Sequence, residues 1–325
     1  MILAQLYTYL FFRLIPHIQQ LGIAEDFVKG IEKSIKNFLA DGIKSNFSTI
    51  LSLINSGMSE DGIGGTVSSY LQNTPSGVDG TLWSNIQNIS EIAVVPVAVT
   101  IVTIISCCDL CQMVISGNNM RDFDTSIFFK WIFKTIIAIS LCSNVFLIVS
   151  EVFNLGNDVT VKAYNLLGVT MDSSSIDVNA VFNSILKSFN MGELALMLLL
   201  SFVTLVIIYV MFGCIMVVLC SRMIEAMMYL SIAPIPMATM MQSEWRQIGN
   251  SWLRGLIAIA FQGFFIVIAL AFFGSMFAGV LGTITDESSA SSVIWAMVKL
   301  IGFSLALIFT IFRTDRISKS MFAAH

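Results

Sequence analysis

Three cysteines, Cys107, Cys108 and Cys111, surround Asp109 within five residues. That is the densest group of metal-ligating side chains in the sequence. A thiolate metal site takes four ligands of the Cys or His type. The chain has only two histidines, His17 and His325, and no fourth ligand stands beside the cluster. The cysteines therefore read as small packing residues. HExxH, GxSxG, the P-loop pattern and GxGxxG are all absent. Metalloprotease, hydrolase and ATPase chemistry lose their usual supports. No catalytic residue, cofactor or metal site is expected, and the chain reads as a non-enzyme.

What remains is charge in an apolar setting, carried by Asp109, Lys130, Lys134 and Lys299. Such residues mark function by default when they lie in a membrane. Only the surrounding elements decide whether they do. Leu194 to Ser221 and Gly255 to Thr285 contain no charge. About 20 apolar residues span the ~30 Å hydrocarbon core of a bilayer. Composition agrees: 56% hydrophobic and 12% charged residues, with mean hydropathy +0.84. A soluble domain carries about 25% charged residues. The net charge of -4 supplies no basic face for nucleic acid.

The fold class expected is all-α and polytopic, with about five transmembrane helices. They run roughly over Ile92–Ser116, Ile127–Ser150, Leu194–Ser221, Gly255–Leu281 and Val293–Phe312. The third is about 42 Å long at 1.5 Å per residue, so it tilts or projects. The loop 117–126 with Arg121, followed by Lys130 and Lys134, the segment 242–254 with Arg246 and Arg254, and the tail with Arg313, Arg316 and Lys319 are basic. The segment 151–193 and the loop 282–292 are acidic. The positive-inside rule then sets the N-terminus outside and the C-terminus in the cytoplasm of a plasma (inner) membrane. The expected layout is an N-terminal amphipathic helical region and Gly/Ser-rich linker (1–90, outside), a transmembrane hairpin (91–150) and an external loop (151–193). A transmembrane core (194–312) with a cytoplasmic elbow (222–254) and a cytoplasmic tail (313–325) follow.

In the N-terminal region, apolar residues recur with helical spacing from Val28 to Ile54, and residues 55–90 read as loop. Met1–Phe12 is too short to span and lacks a basic n-region, so a cleaved signal peptide is not expected. Insertion of residues 1–21 partway into the bilayer stays open.

With the helices placed, the charges can be read. The short loop makes the first two spans antiparallel neighbours, and Asp109 is expected to pair with Lys134. Lys299 leaves two readings: it snorkels outward toward Asp286 and Glu287, or it faces a water-filled lumen. Pro234 and Pro236 stop a helix. Residues 222–241 thus read as an interfacial or re-entrant bend, with a sixth crossing as the alternative. Arg222 and Glu225, three apart, are expected to pair locally. Trp245 and Trp252 would anchor the elbow at the interface, with Arg246 and Arg254 toward headgroups or a partner. Gly274, Ala278 and Gly282 permit close helix packing, within one subunit or between subunits. Met223, Met227, Met228, Met237, Met240 and Met241 suggest an adaptable apolar surface.

Residues 229–268 resemble the TrbL family of conjugal-transfer proteins, in its Gram-positive-type branch. The resembling elements are Ser231-Ile232-Ala233-Pro234-Ile235-Pro236, Glu244-Trp245, Ile248-Gly249 and Phe261-Gln262-Gly263-Phe264, with Arg222-Met223-Ile224-Glu225 before them. The resemblance implies the polytopic inner-membrane subunit of a type IV secretion system, a non-enzymatic channel or scaffold in a homo-oligomeric ring at the translocation base. Its implied partners are cytoplasmic ATPases, extracellular or periplasmic stalk proteins and the bilayer, with DNA or protein only in transit. The chain shows no large C-terminal extension, so roles that require one are not expected. The competing reading is a secondary transporter or channel for a small solute. Against it stand a single Pro break, no visible internal repeat and an odd number of spans.

Overall fold

The computed structural model describes residues 23–58, 63–116, 125–167, 189–240, 244–286 and 290–323. Among them every regular element is a helix. In chain order these are α1 (Ile23–Met58), α2 (Ile63–Gln72), α3 (Pro75–Val78), α4 (Gly80–Ile89), α5 (Val95–Ser116), α6 (Thr125–Ser143), α7 (Val145–Leu167), α8 (Met191–Ser231), α9 (Pro234–Thr239), α10 (Arg246–Asp286) and α11 (Ala290–Met321). Four stretches are long and apolar enough to cross a membrane: Gly80–Ile115, Met191–Ser231, Arg246–Val280 and Ser291–Met321. The pair α6 and α7 makes up to five if it counts as one broken span.

The protein is thus an all-α polytopic membrane protein, but three boundaries differ from the sequence expectation. Residues 63–89, read as linker, are mostly helical. Asp79 caps α4 by accepting from the backbone N–H of Thr81 and Leu82, both at 3.0 Å, which satisfies orphan donors of the first turn. A π-turn over Ser90–Val94 joins α4 to α5. It precedes Pro96, whose missing N–H removes one donor from the regular ladder.

The second span is not continuous. Its halves, Phe128–Ser143 and Val145–Leu167, meet at 62°. At the break, Asn144 donates its side-chain amide to the Ser140 carbonyl at 2.9 Å, beside its own backbone N–H at 3.1 Å. A side-chain amide that competes for a helical carbonyl favours termination there. Beyond the break, Glu151, Asp158 and Lys162 lie on α7 rather than in a loop. The third boundary is the start of α8 at Met191, where the Glu193 carboxylate accepts the Asn190 N–H at 3.0 Å. Residues 1–22 and Met241 lie outside the described residues, and so do the questions asked of them.

The core is a bundle of α8, α10 and α11. Polar contacts pair residue 222 with 259 and 260, and residues 258 and 262 with 318 and 314. The second pair of contacts runs in opposite senses, and Gly263 lies against Arg222 while Gly255 lies against Tyr229, so α10 is antiparallel to both neighbours. The Lys319–Glu225 contact links α11 to α8. One large cluster fills the upper bundle and includes Met197, Ile208, Ile215, Val267, Phe277, Met297 and Leu307. The second half of α1 joins it through Ile43, Phe47, Ile50 and Ile54. Asn46 there donates to the Ser201 hydroxyl of α8 at 2.9 Å. In the first half of α1 the expected stripe is half-buried at Val28, Ile31, Ile35 and Leu39, and only Phe38 departs from it by being exposed.

α5 and α6 form a hairpin zipped by polar contacts. The Trp131 indole donates to the Ser106 carbonyl at 2.9 Å, and the Ser106 and Thr135 hydroxyls are 2.8 Å apart. Lys134 Nζ lies 2.5 Å from Asp109 Oδ2, the pair the short loop implies. The open end of this hairpin, with Ala98, Val102, Ile105, Ala138 and Cys142, packs on Ala238 of α9.

Candidate functional site

The sequence elements singled out around residues 222–263 converge on one turn and a half of α10. The long apolar run that makes α10 a helix also offers backbone carbonyls, which ordinarily bond only within the helix. At Ala258–Ala260 two neighbours reach them, and Gln262 adds a side-chain contact outward. The Ser318 hydroxyl of α11 donates to the Ala258 carbonyl at 2.5 Å. Arg222 of α8 donates from Nε to the Ile259 carbonyl and from Nη2 to the Ala260 carbonyl, each at 3.2 Å. Gln262 donates to the Thr314 hydroxyl at 3.5 Å.

Glycines make this node possible. A Cβ at Gly263 would stand 2.5 Å from Nη1 of Arg222, so only glycine leaves room for the guanidinium. A Cβ at Gly156 of α7 would stand 2.6 Å from the Ala260 carbonyl oxygen, which lets α7 cross α10 in near contact. Arg222 is only 5% exposed, and among the described residues its Nη1 has no partner, as is true of Gln262 Oε1. A buried guanidinium without a carboxylate is costly. Its rigid fork suits two adjacent carbonyls better than an ammonium would.

Arg222 and Glu225 do not pair, contrary to the sequence expectation. The helix directs Arg222 inward to α10, while Glu225, one turn on, faces α11. There Lys319 Nζ lies 2.9 Å from Glu225 Oε1 and 2.9 Å from Asp315 Oδ1. The sequence carried no signal for this link, because the partners are 94 residues apart. The spacing of Asp315 and Lys319, one helical turn, was the only local hint.

The elbow is the second part of the site. α8 stops at Ser231 because Pro234 can neither donate an N–H nor tolerate the preceding turn's carbonyl. α9 then begins with Pro234 and Pro236 in its first turn, where a missing N–H costs little. Both prolines, Ala238 and Thr239 are buried. A Cβ at Gly249 would lie 2.1 Å from Met240 Cγ and 2.6 Å from the Pro236 carbonyl oxygen, so α10 starts hard against the elbow. On the other side the hairpin closes in, and the Cys142 thiol donates to the Pro234 carbonyl at 3.8 Å.

The elbow tryptophans differ from each other. Trp245 is half exposed, with Arg246 and Arg254 exposed near it. Trp252 is buried and stacks on Tyr229 at 6.4 Å, so it is a packing residue rather than an interfacial anchor. Met223 and Met227 are also buried, and the expected methionine surface reduces to Met228 with half-buried Met237 and Met240. Lys299 is exposed on α11. Gly274 is half-buried, Ala278 exposed and Gly282 half-buried near the far end of α10. Cys107, Cys108 and Cys111 are exposed on α5. Among the described residues no three His, Cys, Asp or Glu side chains come together to hold a metal.

Taken with the fold, this geometry defines a polytopic helical membrane protein whose conspicuous polar chemistry locks helices together. The TrbL/VirB6 plasmid conjugal transfer like proteins match residues 63–234, more than half of the chain, and the protein belongs to that family. The match runs from α2 to the first proline of α9 and includes Arg222 and Glu225. It ends before Gly249 and Gln262-Gly263, so those elements stand on the geometry alone. No curated protein and no solved structure matches the chain.

Family membership makes the chain a membrane subunit of conjugal transfer machinery, which associates with other components of that machinery.

Proposed function

We propose that the chain is a non-enzymatic channel or scaffold subunit of a type IV secretion machine, of the Gram-positive-type branch, that works as a homo-oligomeric ring. The observation that carries the reading, beside the family, is the α10 node. It ties α8 and α11 to α10 through backbone carbonyls, seats α7 against Ala260 at Gly156, and makes a stiff block of the helices that meet the elbow. A ring subunit needs such a block to hold a passage open, and it needs no catalytic group. Energy and cargo selection belong in this reading to cytoplasmic ATPases, with stalk proteins on the outer side.

Orientation follows from the ends that the bundle brings together. Arg222, Arg246, Arg254, Arg313, Arg316 and Lys319 share one end with Glu225, Glu244 and Asp315. That basic excess supports a cytoplasmic C-terminus; with the bent pair α6 and α7 counted as the fifth span, the proposed N-terminus is outside. The elbow and its exposed Trp245 and Arg246 are then the surface offered to a cytoplasmic partner.

The break at Asn144 is the one feature that favours a small-solute transporter, because transporters use broken helices at their sites. Its two arms pack on different elements, α5 with α9 and α10, and do not converge on a shared site. The test of the channel reading is the double substitution Pro234→Ala and Pro236→Ala. Without the prolines α8 continues past Ser231 and the elbow straightens. Membrane insertion is expected to persist and DNA transfer to be lost. Unchanged transfer contradicts the proposal.

A further inference from the structure

α11 exposes two unlike faces. At about 100° per residue, Gly302, Ala306, Thr310 and Arg313 fall within about 60° of Lys299. All five are exposed. A Cβ at Gly302 would meet nothing within 4 Å. About a quarter turn away lies a second exposed face of Val298, Leu305, Phe309 and Phe312, bulky and wholly apolar. The second face is what lipid requires. The first is small, partly polar and bounded by two cations about 21 Å apart along the helix. Lys299 has no ion-pair partner among the described residues. Charged residues within a span almost always face the bundle interior or a water-filled cavity. The interior of this subunit is on the opposite side, where Leu300, Ser304, Leu307 and Ile311 are buried.

We infer that the Lys299–Arg313 face of α11 is a wall of the aqueous passage, and that its two cations favour a solvated anionic cargo. The inference rests on the channel reading above and adds which helix face lines the passage. Trp295, 65% exposed one turn before Lys299, suits the outer rim of such a wall, where an indole sits between lipid and water.

The test is cysteine substitution at eight positions in the full chain, in cells carrying the whole machine, with a charged, membrane-impermeant maleimide. The six native cysteines are replaced by alanine. If that chain fails to accumulate, the native thiols stay and each added cysteine is read by peptide mass. Labelling at 299, 302, 306 and 310 with protection at 298, 305, 309 and 312 supports the wall. Labelling at 299 alone overturns it, because it shows a lysine that snorkels to the headgroups. Matching series of single cysteines along the exposed faces of α5, α7, α8 and α10 are labelled in parallel, and protection of the whole α11 stripe while one of these reacts overturns the wall and leaves the channel reading intact. Protection of every span overturns both. For the cargo, Lys299→Glu is expected to lower DNA transfer about tenfold while Lys299→Arg does not, in line with electrostatic steering. Equal transfer by the two variants overturns the preference for anions.

Discussion

In α10, 61% of the most apolar window is buried within the protein; in the continuous helix formed by α4 and α5 the figure is 22%. Both segments are apolar enough to cross a bilayer, so burial separates two jobs that hydropathy merges. α10 is the post around which α7, α8 and α11 are fastened, through glycines and backbone carbonyls. The α5–α6 hairpin exposes Ile104, Ile115, Phe129, Phe133 and Ile136, is joined internally by Asp109–Lys134 and the Trp131 indole, and packs on the rest of the protein through α9. The two regions meet at α9. The elbow is therefore the joint between a stiff block and an arm whose outer surface is left to lipid or to other subunits.

The sharpest way to break this contrast is to add one side chain where helices touch. Gly249→Val and Gly156→Val each drive a Cβ toward a backbone oxygen at 2.6 Å, which cannot swing aside. Each is expected to cost about 3 kcal/mol, the top of the usual range for overpacking because the oxygen is fixed, read as a lower Tm of the detergent-extracted protein. Gly213→Ala, where nothing lies within 4 Å, is expected to raise stability by about 0.4–1 kcal/mol through helix propensity and unfolded-state entropy. Equal effects at the three sites would erase the distinction between post and surface.

Arg222 gives the next largest effect and a diagnostic order. Arg222→Lys keeps a buried charge but loses the fork that serves two carbonyls. It is expected to cost about 2–3 kcal/mol, the scale of charge-assisted hydrogen bonds. Arg222→Met leaves no buried charge and is expected to cost less. A thermal melt that ranks methionine below lysine contradicts the clamp. The smallest effects belong to the ion pairs, in which Lys134 and Lys319 stay partly exposed although Asp109 is buried. Asp109→Asn and Lys319→Gln are each expected to cost about 1 kcal/mol or less. The first should raise hydrogen exchange only in the α5–α6 hairpin, and the second only near the ends of α8 and α11.

Much of this was legible in the sequence, for physical reasons. Uninterrupted apolar runs announce α8 and α10, because nothing else tolerates 28 residues without charge between Leu194 and Ser221, and a run broken only by Lys299 announces α11. Pro234 and Pro236 announce the elbow, and the short hairpin loop announces the Asp109–Lys134 pair. The break at Asn144 was not legible, since asparagine inside an apolar run carries only a weak local preference. The Arg222–Glu225 pairing was misread because spacing says which residues share a helix side, not which neighbour is nearer. Gly156, Gly249 and Gly263 are ordinary glycines until the partner helix is in place.

The central claim is that this stiff, elbowed subunit closes into a ring. The direct measurement is native mass spectrometry of the protein extracted gently from cells that also express the rest of the machine. The proposal predicts a closed homo-oligomer of a single stoichiometry. A monomer that persists across mild detergents and in nanodiscs contradicts it.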